Sequence, residues 1–259
     1  MLDMTDVVAV EKSGDVALLT MRLAPYNLVG CDLGPALTGA IEKALSGGAR
    51  AIVLRSALRH FSAGADLALF KDEGAQFREA FDALGVMRAL EQCPVPTVAA
   101  VHGVALGGGF ELALLCDFIV AASSAKFGLV EATLGLHPLM GGVQRIAARA
   151  GVARANEIVM LARRHDAATL ERWGIVNRVV PDAQLDEIAL ALAIELSLGP
   201  TVAHGSTKRL LQTYLREGIA AADDAMAEAQ RAIWSSRDLS IGLAAFEEKG
   251  PGQAVFVGR

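Results

Sequence analysis

Apolar residues along the chain fall into short continuous runs that alternate with segments where they recur every three or four positions. Residues 16–21 (Val-Ala-Leu-Leu-Thr-Met) and 51–55 (Ala-Ile-Val-Leu-Arg) are runs of the first kind and predict strands, the second buried on both faces. Between them, residues 33–45 have helical spacing that stops at Gly47-Gly48. Residues 75–91 place Phe77, Phe81, Leu84, Met87 and Leu90 at helical intervals and end before Pro94 and Pro96. A strand over 97–104, a helix over 110–116 and a strand over 118–121 follow. Strands separated by helices predict parallel pairing with the helices packed outside. Beyond about residue 183 the strand signal fades, and 185–198 and 200–237 read as helical, the latter interrupted near Gly218. With no internal repeat and no low-complexity linker, the expectation is an α/β core over residues 1–195 and a helical extension over 196–259.

Composition narrows the class. The chain has 259 residues, 53% of them hydrophobic and 20% charged, enough to bury a large core and too apolar for disorder. Lys plus Arg total 24 against 29 for Asp plus Glu, a net charge of -5, so nothing drives binding to a phosphate backbone and nucleic acid is not the expected partner. Cys31, Cys93 and Cys116 are odd in number and scattered, which gives neither a disulfide framework nor paired metal ligands. Residues 1–6 are acidic and lack the basic flank and apolar run of a signal peptide. A soluble protein of a reducing compartment, the cytoplasm, is expected. The most apolar stretch, 95–122, contains Pro96, His102, three consecutive glycines, Glu111 and Asp117, which fits a buried strand and helix better than a membrane span.

Two glycine-containing turns are the candidate chemistry. One is His60-Phe61-Ser62-Ala63-Gly64-Ala65-Asp66; the other is His102 to Glu111, where a strand passes through Gly107-Gly108-Gly109 into a helix. Glycines let a ligand approach the backbone, and a helix N-terminus offers free N–H groups and a positive dipole end, suited to an oxygen gaining negative charge. A plain tight turn is the alternative. A dinucleotide fingerprint fails because Leu112 stands where a third small residue is needed, and no Lys-Ser/Thr completes a P-loop. Glu111 lies one helical turn beyond Gly108, and Glu131 lies in the otherwise apolar 127–135. A lone Glu there fits a solvated face; two such acids beside glycine-rich turns point toward paired acid–base work.

The ordered set of segments resembles the crotonase (enoyl-CoA hydratase/isomerase) family over nearly the whole chain. The resemblance is carried by Phe61-Ser62-Ala63-Gly64-Ala65-Asp66, the run from Val95 to Gly103, Gly107-Gly108-Gly109-Phe110-Glu111-Leu112-Ala113 and Cys116-Asp117. It continues through Phe127-Gly128-Leu129-Val130-Glu131, Gly141-Gly142-Val143-Gln144-Arg145, the run from Trp173 to Val180 and the closing Ala245-Phe246-Glu247-Glu248-Lys249. It implies an α/β spiral of ββα units followed by C-terminal helices that build homotrimers or homohexamers. The implied substrate is an acyl-CoA thioester, with no metal and no cofactor beyond the coenzyme A of the substrate. By position, Ala65 and Gly108 match the oxyanion-hole backbone N–H groups, and Glu111 and Glu131 match the catalytic carboxylates. Ala63, Gly64, Asp66, Leu67, Gly107, Phe110, Leu139 and Gly141 match substrate-binding positions. The implied reaction is hydration of a trans-2-enoyl-CoA, with Glu111 activating water and Glu131 delivering the α-proton. The alternatives are double-bond isomerisation, which needs only one base, another acyl-CoA reaction, or a non-catalytic acyl-CoA- or RNA-binding role.

Some positions depart from the family pattern. Leu136-His137-Pro138-Leu139-Met140-Gly141-Gly142 replaces the common Ile-Pro-Gly-Ala-Gly-Gly, so Leu139, Met140 and a titratable His137 can reshape the acyl pocket. The basic residue often found near the nucleotide end of CoA is missing after Pro25, leaving Arg22 as the candidate substitute, and Lys249-Gly250 stands for the usual Lys-Arg. The five histidines show no i, i+4 pairing for zinc, Ser62 lacks a Gly-x-Ser-x-Gly frame, and Cys116 reads as core.

Overall fold

A computed structural model describes residues 7–70 and 81–259. The opening residues 1–6 and residues 75–80 of the helix predicted over 75–91 lie outside the described residues. Strands β1 (Val8–Ser13) and β2 (Val16–Met21) form an antiparallel hairpin, and β2 then pairs in parallel with β3 (Ala51–Ser56). Helix α1 (Leu33–Ser46) makes that crossover, burying Leu33, Leu37 and Ile41. Helix α2 (Ala83–Glu91) is capped by Asp82, which accepts the Gly85 N–H at 2.7 Å, and it buries Val86 and Leu90. The main sheet continues in parallel through β4 (Thr97–Val101), β6 (Phe118–Ala122) and β9 (Arg178–Val180) in the order β1-β2-β3-β4-β6-β9.

The strand predicted over 97–104 is two strands. The chain turns at Gly103, φ +62°, and β5 (Val104–Leu106) leaves the main sheet for a second one, paired in parallel with β7 (Lys126–Gly128). A side chain at Gly103 would fall on the Arg59 carbonyl and the His60 ring. Helix α3 (Gly108–Leu115) follows β5 and is buried along its whole length. After β7 come a 3₁₀ turn (Glu131–Leu134) and α4 (Gly142–Leu161). Strand β8 (His165–Asp166) closes the second sheet, and α5 (Ala167–Arg172) leads back to β9.

This path repeats one unit: a strand in the main sheet, a strand or single bridge in the second sheet, then a helix. β4-β5-α3 and β6-β7-α4 are complete turns of it. Among the described residues, earlier turns reach the second layer through single bridges, Ser62 with Ala105 and Val29 with Ala65. The repetition is one of path and not of residues, which is why no repeat shows in the sequence.

Helix α6 (Leu185–Leu198) packs on the main sheet through Leu185, Ala189 and Ala193, and the 195/196 boundary falls inside it. The region 200–237 divides into α7 (Thr201–Glu217), α8 (Ile219–Asp224) and α9 (Met226–Trp234), with the expected break at Gly218, φ +89°. Helix α10 (Arg237–Lys249) follows. Two polar knots join these helices to the core. Lys208 Nζ donates to Asp117 at 2.6 Å and to the Val95 carbonyl at 2.9 Å, while Arg50 donates to Thr201 Oγ1 and to the carbonyls of Gly199 and Phe256. Among the described residues no single helix is long and apolar enough to cross a membrane.

Candidate active site

The two glycine-containing turns meet where successive turns of the spiral stack. Val29 donates to the Gly64 carbonyl and accepts from Asp66, both at 2.9 Å, so the pairing brackets Ala65 and leaves the Ala65 N–H turned the other way. That side faces the start of α3. A Cβ built on Gly108 would lie 3.7 Å from the Ala65 nitrogen and 3.4 Å from Val29 Cβ. Gly108 is the first residue of α3, where an N–H has no acceptor within the helix, and Gly107 before it adopts φ +47°. The backbone of Ala65 thus lies against that of Gly108 at the positive end of a helix.

The loop carrying Ala65 is held from behind. Asn27, fully buried with φ +50°, donates to Ser56 Oγ and to the Phe61 carbonyl, and Ser62 Oγ donates to the Asn27 carbonyl at 2.7 Å. Asn27 and Ser62 are positioning residues that the sequence reading did not single out as such. Their signal was slight, because a buried hydrogen-bonded Asn looks like any loop Asn in a sequence.

Glu111 sits one turn along α3 and is 1% exposed. Its Oε1 accepts the N–H groups of Met140 and Gly142, each at 2.8 Å. Burial pushes its pKa above the usual carboxylate range, while these N–H groups and the Arg145 charge hold it back. Glu131 opens the 3₁₀ turn after β7 and approaches from the opposite side: a Cβ on Gly107 would come within 3.0 Å of its Oε1. Its Oε2 is buried without a hydrogen-bond partner among the described residues. Burial, with help from the Glu111 charge, raises its pKa to about 7, against the opposing pull of its own backbone N–H and of His137. Both acids line one cavity of ≈ 280 Å³, and its remaining walls are mainly apolar. One buried acid and one part-buried acid, each in its own environment, are an arrangement suited to acid–base catalysis.

Of the expected substrate-contacting positions, Ala63, Gly64, Leu67, Gly107 and Leu139 line this cavity together with Ala65, Gly108, Glu111 and Glu131. Asp66, Phe110 and Gly141 do not. Phe110 is fully buried against Phe127, ring centroids 5.1 Å apart, because one residue of rotation turns it away from the face shared by Gly108 and Glu111. Asp66 accepts the Ala68 N–H at 2.9 Å and starts the short turn that carries Leu67. Gly141, φ +81°, shapes the loop behind Glu111. The sequence reading missed the Met140 and Gly142 N–H groups, and it missed Val29, Phe70, Phe81, Leu134 and Leu136 as cavity walls.

Other candidates settle elsewhere. His137 Nδ1 bonds the adjacent Pro138 carbonyl, and His137 is not a cavity wall. Arg22 is paired with Glu11 at 3.2 Å. The Cys116 thiol is buried and pushed up to about 12, which leaves it unreactive. A larger cavity of ≈ 490 Å³ lies beneath α7, but its cations are already engaged: Lys208 by Asp117, Arg145 by Glu91, and Arg149 by the carbonyls of Cys116 and Ile175. The smaller cavity, lined by both acids and by Ala65 and Gly108, whose N–H groups have no acceptor among the described residues, is the one equipped for chemistry. Among the described residues no group of three or more His, Cys, Asp or Glu is placed to hold a metal ion.

Comparison with known proteins gives the family. Residues 11–256 match the family model described as enoyl-CoA hydratase/isomerase. A protein of Rhizobium meliloti named a probable enoyl-CoA hydratase is 35% identical over 252 residues, covering 94% of this chain and 96% of its own. The crotonyl-CoA hydratase of Syntrophomonas wolfei is 38% identical over 205 residues, 76% of this chain and 77% of that one. The crystal structure of an enoyl-CoA hydratase from Bacillus anthracis superimposes with a TM-score of 0.88 at 30% identity, covering 98% of this chain and 100% of that one.

Proposed function

Because the chain belongs to the enoyl-CoA hydratase/isomerase family, we propose that it adds water reversibly across the double bond of a trans-2-enoyl-CoA to give a 3-hydroxyacyl-CoA. The observation that carries this reading is the pair of acids, Glu111 buried and Glu131 part-buried, in the same apolar cavity as the N–H groups of Ala65 and Gly108. The thioester carbonyl oxygen sits between those two N–H groups, which stabilise it as the carbonyl becomes enolate-like. Each such donor is worth on the order of 3–4 kcal/mol at the transition state. This polarisation needs no metal or redox group.

The two acids divide the remaining work. Glu111, whose carboxylate is favoured by two backbone N–H bonds and the Arg145 charge, takes a proton from water as the oxygen bonds to the β-carbon. The double-bond electron pair moves toward the thioester. Glu131, which holds its proton up to about pH 7, then delivers that proton to the α-carbon. The reverse reaction exchanges the two roles. Each group contributes typically ~10²–10⁴-fold.

Assembly into homotrimers or hexamers fits the exposure of Leu211, Tyr214, Leu215, Trp234 and Phe246 on the C-terminal helices. The activity is tested by loss of the conjugated-thioester absorbance of short- and medium-chain trans-2-enoyl-CoAs. Rapid loss in the wild type that collapses in both Glu111→Gln and Glu131→Gln is expected. A wild type without activity on any chain length overturns the hydratase reading.

A further inference from the structure

The N–H groups that hold Glu111 are themselves held from outside the cavity. Arg145, three residues into α4, donates from Nη1 to the Gly141 carbonyl at 2.9 Å, with a longer contact to the Met140 carbonyl at 3.4 Å. The Gly141 carbonyl and the Gly142 N–H belong to one peptide unit, and in a trans peptide they point in opposite directions. That single plane therefore receives the Arg145 guanidinium on one edge and donates to Glu111 Oε1 on the other, at 2.8 Å. Arg145 does not line the catalytic cavity; its charge acts on Glu111 through space, and among the described residues its hydrogen-bonded route to Glu111 runs through this peptide. Gly141 is required for the approach. It has φ +81°, and a Cβ there would sit 1.8 Å from Arg145 Nη1.

The far side of the guanidinium is anchored too. Arg145 Nη2 pairs with Glu91 at the end of α2, and these side chains are only 14% and 25% exposed. Glu91 is held in turn by α7, where Gln212 donates to its main-chain carbonyl and Arg216 approaches its other carboxylate oxygen at 3.6 Å. A part-buried charge held on both sides is costly to move.

We infer that Arg145, anchored by Glu91, is the positioning residue for the Glu111 carboxylate, acting through the Gly141–Gly142 peptide. A cation bonded to the peptide oxygen polarises the unit and strengthens its N–H as a donor, so the same contact sets both the direction and the strength of the bond to Glu111. The substitution that removes it has two linked effects. The loop carrying Met140 and Gly142 loses its brace, and Glu111 becomes harder to ionise. The charged groups facing Glu111 among the described residues are Arg145 from α4 and Glu131 from the 3₁₀ turn, with His137 beside Glu131. The role in water activation rests on the hydratase reading, but the effect on Glu111 ionisation does not.

The test separates the two. In a Glu131→Gln background, with glutamate carboxyl carbons labelled for NMR, the Glu111 titration is followed with and without Arg145→Met. The expected result is an upward move of the Glu111 midpoint by roughly one unit. In the otherwise wild-type enzyme, Arg145→Met lowers kcat on crotonyl-CoA by about 10–100-fold with KM within about threefold, as expected when a reacting group is displaced but substrate contacts remain. Arg145→Lys, which can still reach one carbonyl, recovers part of the loss. Glu91→Gln, which frees the anchor and leaves the cation, shifts the midpoint upward by less; a downward shift, the direction that charge alone dictates once the Glu91 carboxylate is gone, overturns the route through the peptide. A folded variant with lower thermal stability but an unchanged Glu111 midpoint overturns the inference. A midpoint that moves in a protein without hydration activity leaves the inference standing and overturns only the reaction assigned to the site.

Discussion

Replacing Glu131 by Gln should make the protein more stable and nearly inactive at the same time, and the stability gain should depend on pH. Glu131 keeps its proton up to about pH 7 where 4.5 is ordinary for Glu, and burial is the main cause. At ~1.4 kcal/mol per pH unit the full shift is roughly 3 kcal/mol. Glu131 retains some solvent contact, and screening reduces the realised effect to about 1–2 kcal/mol. Its sign follows from proton counting. Between pH 4.5 and about 7 the folded chain binds a proton that the unfolded chain has released, so stability is complete below 4.5 and falls as pH rises through that window. Above it, the wild type carries the whole cost of a buried carboxylate. Gln has nearly the same shape and cannot ionise, so the variant escapes that cost, and removing the charge also eases ionisation of Glu111. The two proteins should therefore unfold alike near pH 4.5 and diverge above neutrality, where the variant melts about 2–8 °C higher. Its kcat should fall by ~10²–10⁴-fold. Melting curves from pH 4 to 9, with activity measured on the same samples, provide the assay. A variant less stable at pH 8, or a stability difference independent of pH, would refute the claim that Glu131 is an acid held neutral by burial.

Further outcomes follow from the same geometry. Gly108→Pro removes one N–H at the first position of α3, where Pro is tolerated, so the protein should fold and lose about 10²–10³-fold in kcat; circular dichroism and steady-state rates check both halves. Gly142→Ala would press a Cβ to 3.1 Å from Glu111 Oε1 and 3.0 Å from Leu129 Cδ1, costing about 1–3 kcal/mol and a large part of kcat, read by denaturant melts beside the enoyl-CoA assay. Lys208→Met breaks the part-buried pair with Asp117, neither of which lines the catalytic cavity, so it should cost about 1–3 kcal/mol of stability while leaving kcat/KM of the folded enzyme within about twofold.

Much of this was legible in the sequence because the relevant physics is local. The buried strands 51–55 and 118–121 announced themselves as unbroken apolar runs. The break at Gly218 and the glycine entry to α3 were visible as conformational demands of single residues. The split of 97–104 into two strands was hidden, since a continuous apolar run gives no sign that His102-Gly103 turns the chain into another sheet. Phe110 was misplaced for a related reason: sequence adjacency to Gly108 and Glu111 does not say which side of a helix faces the ligand. Arg145 lay inside a quoted motif, yet its contact depends on which way one peptide points, and no spacing rule encodes that. The pairing of Glu111 with Glu131 was suggested by their apolar settings, but only stacking of the spiral puts both in one cavity.

The most direct measurement is isotopic. Crotonyl-CoA incubated with the enzyme in water enriched in ¹⁸O and ²H should yield a 3-hydroxy product with one ¹⁸O at the β-carbon and one ²H at the α-carbon. Both labels should be lost together in Glu111→Gln. Deuterium at carbon without ¹⁸O would contradict water addition and leave a base and oxyanion hole that only shift protons.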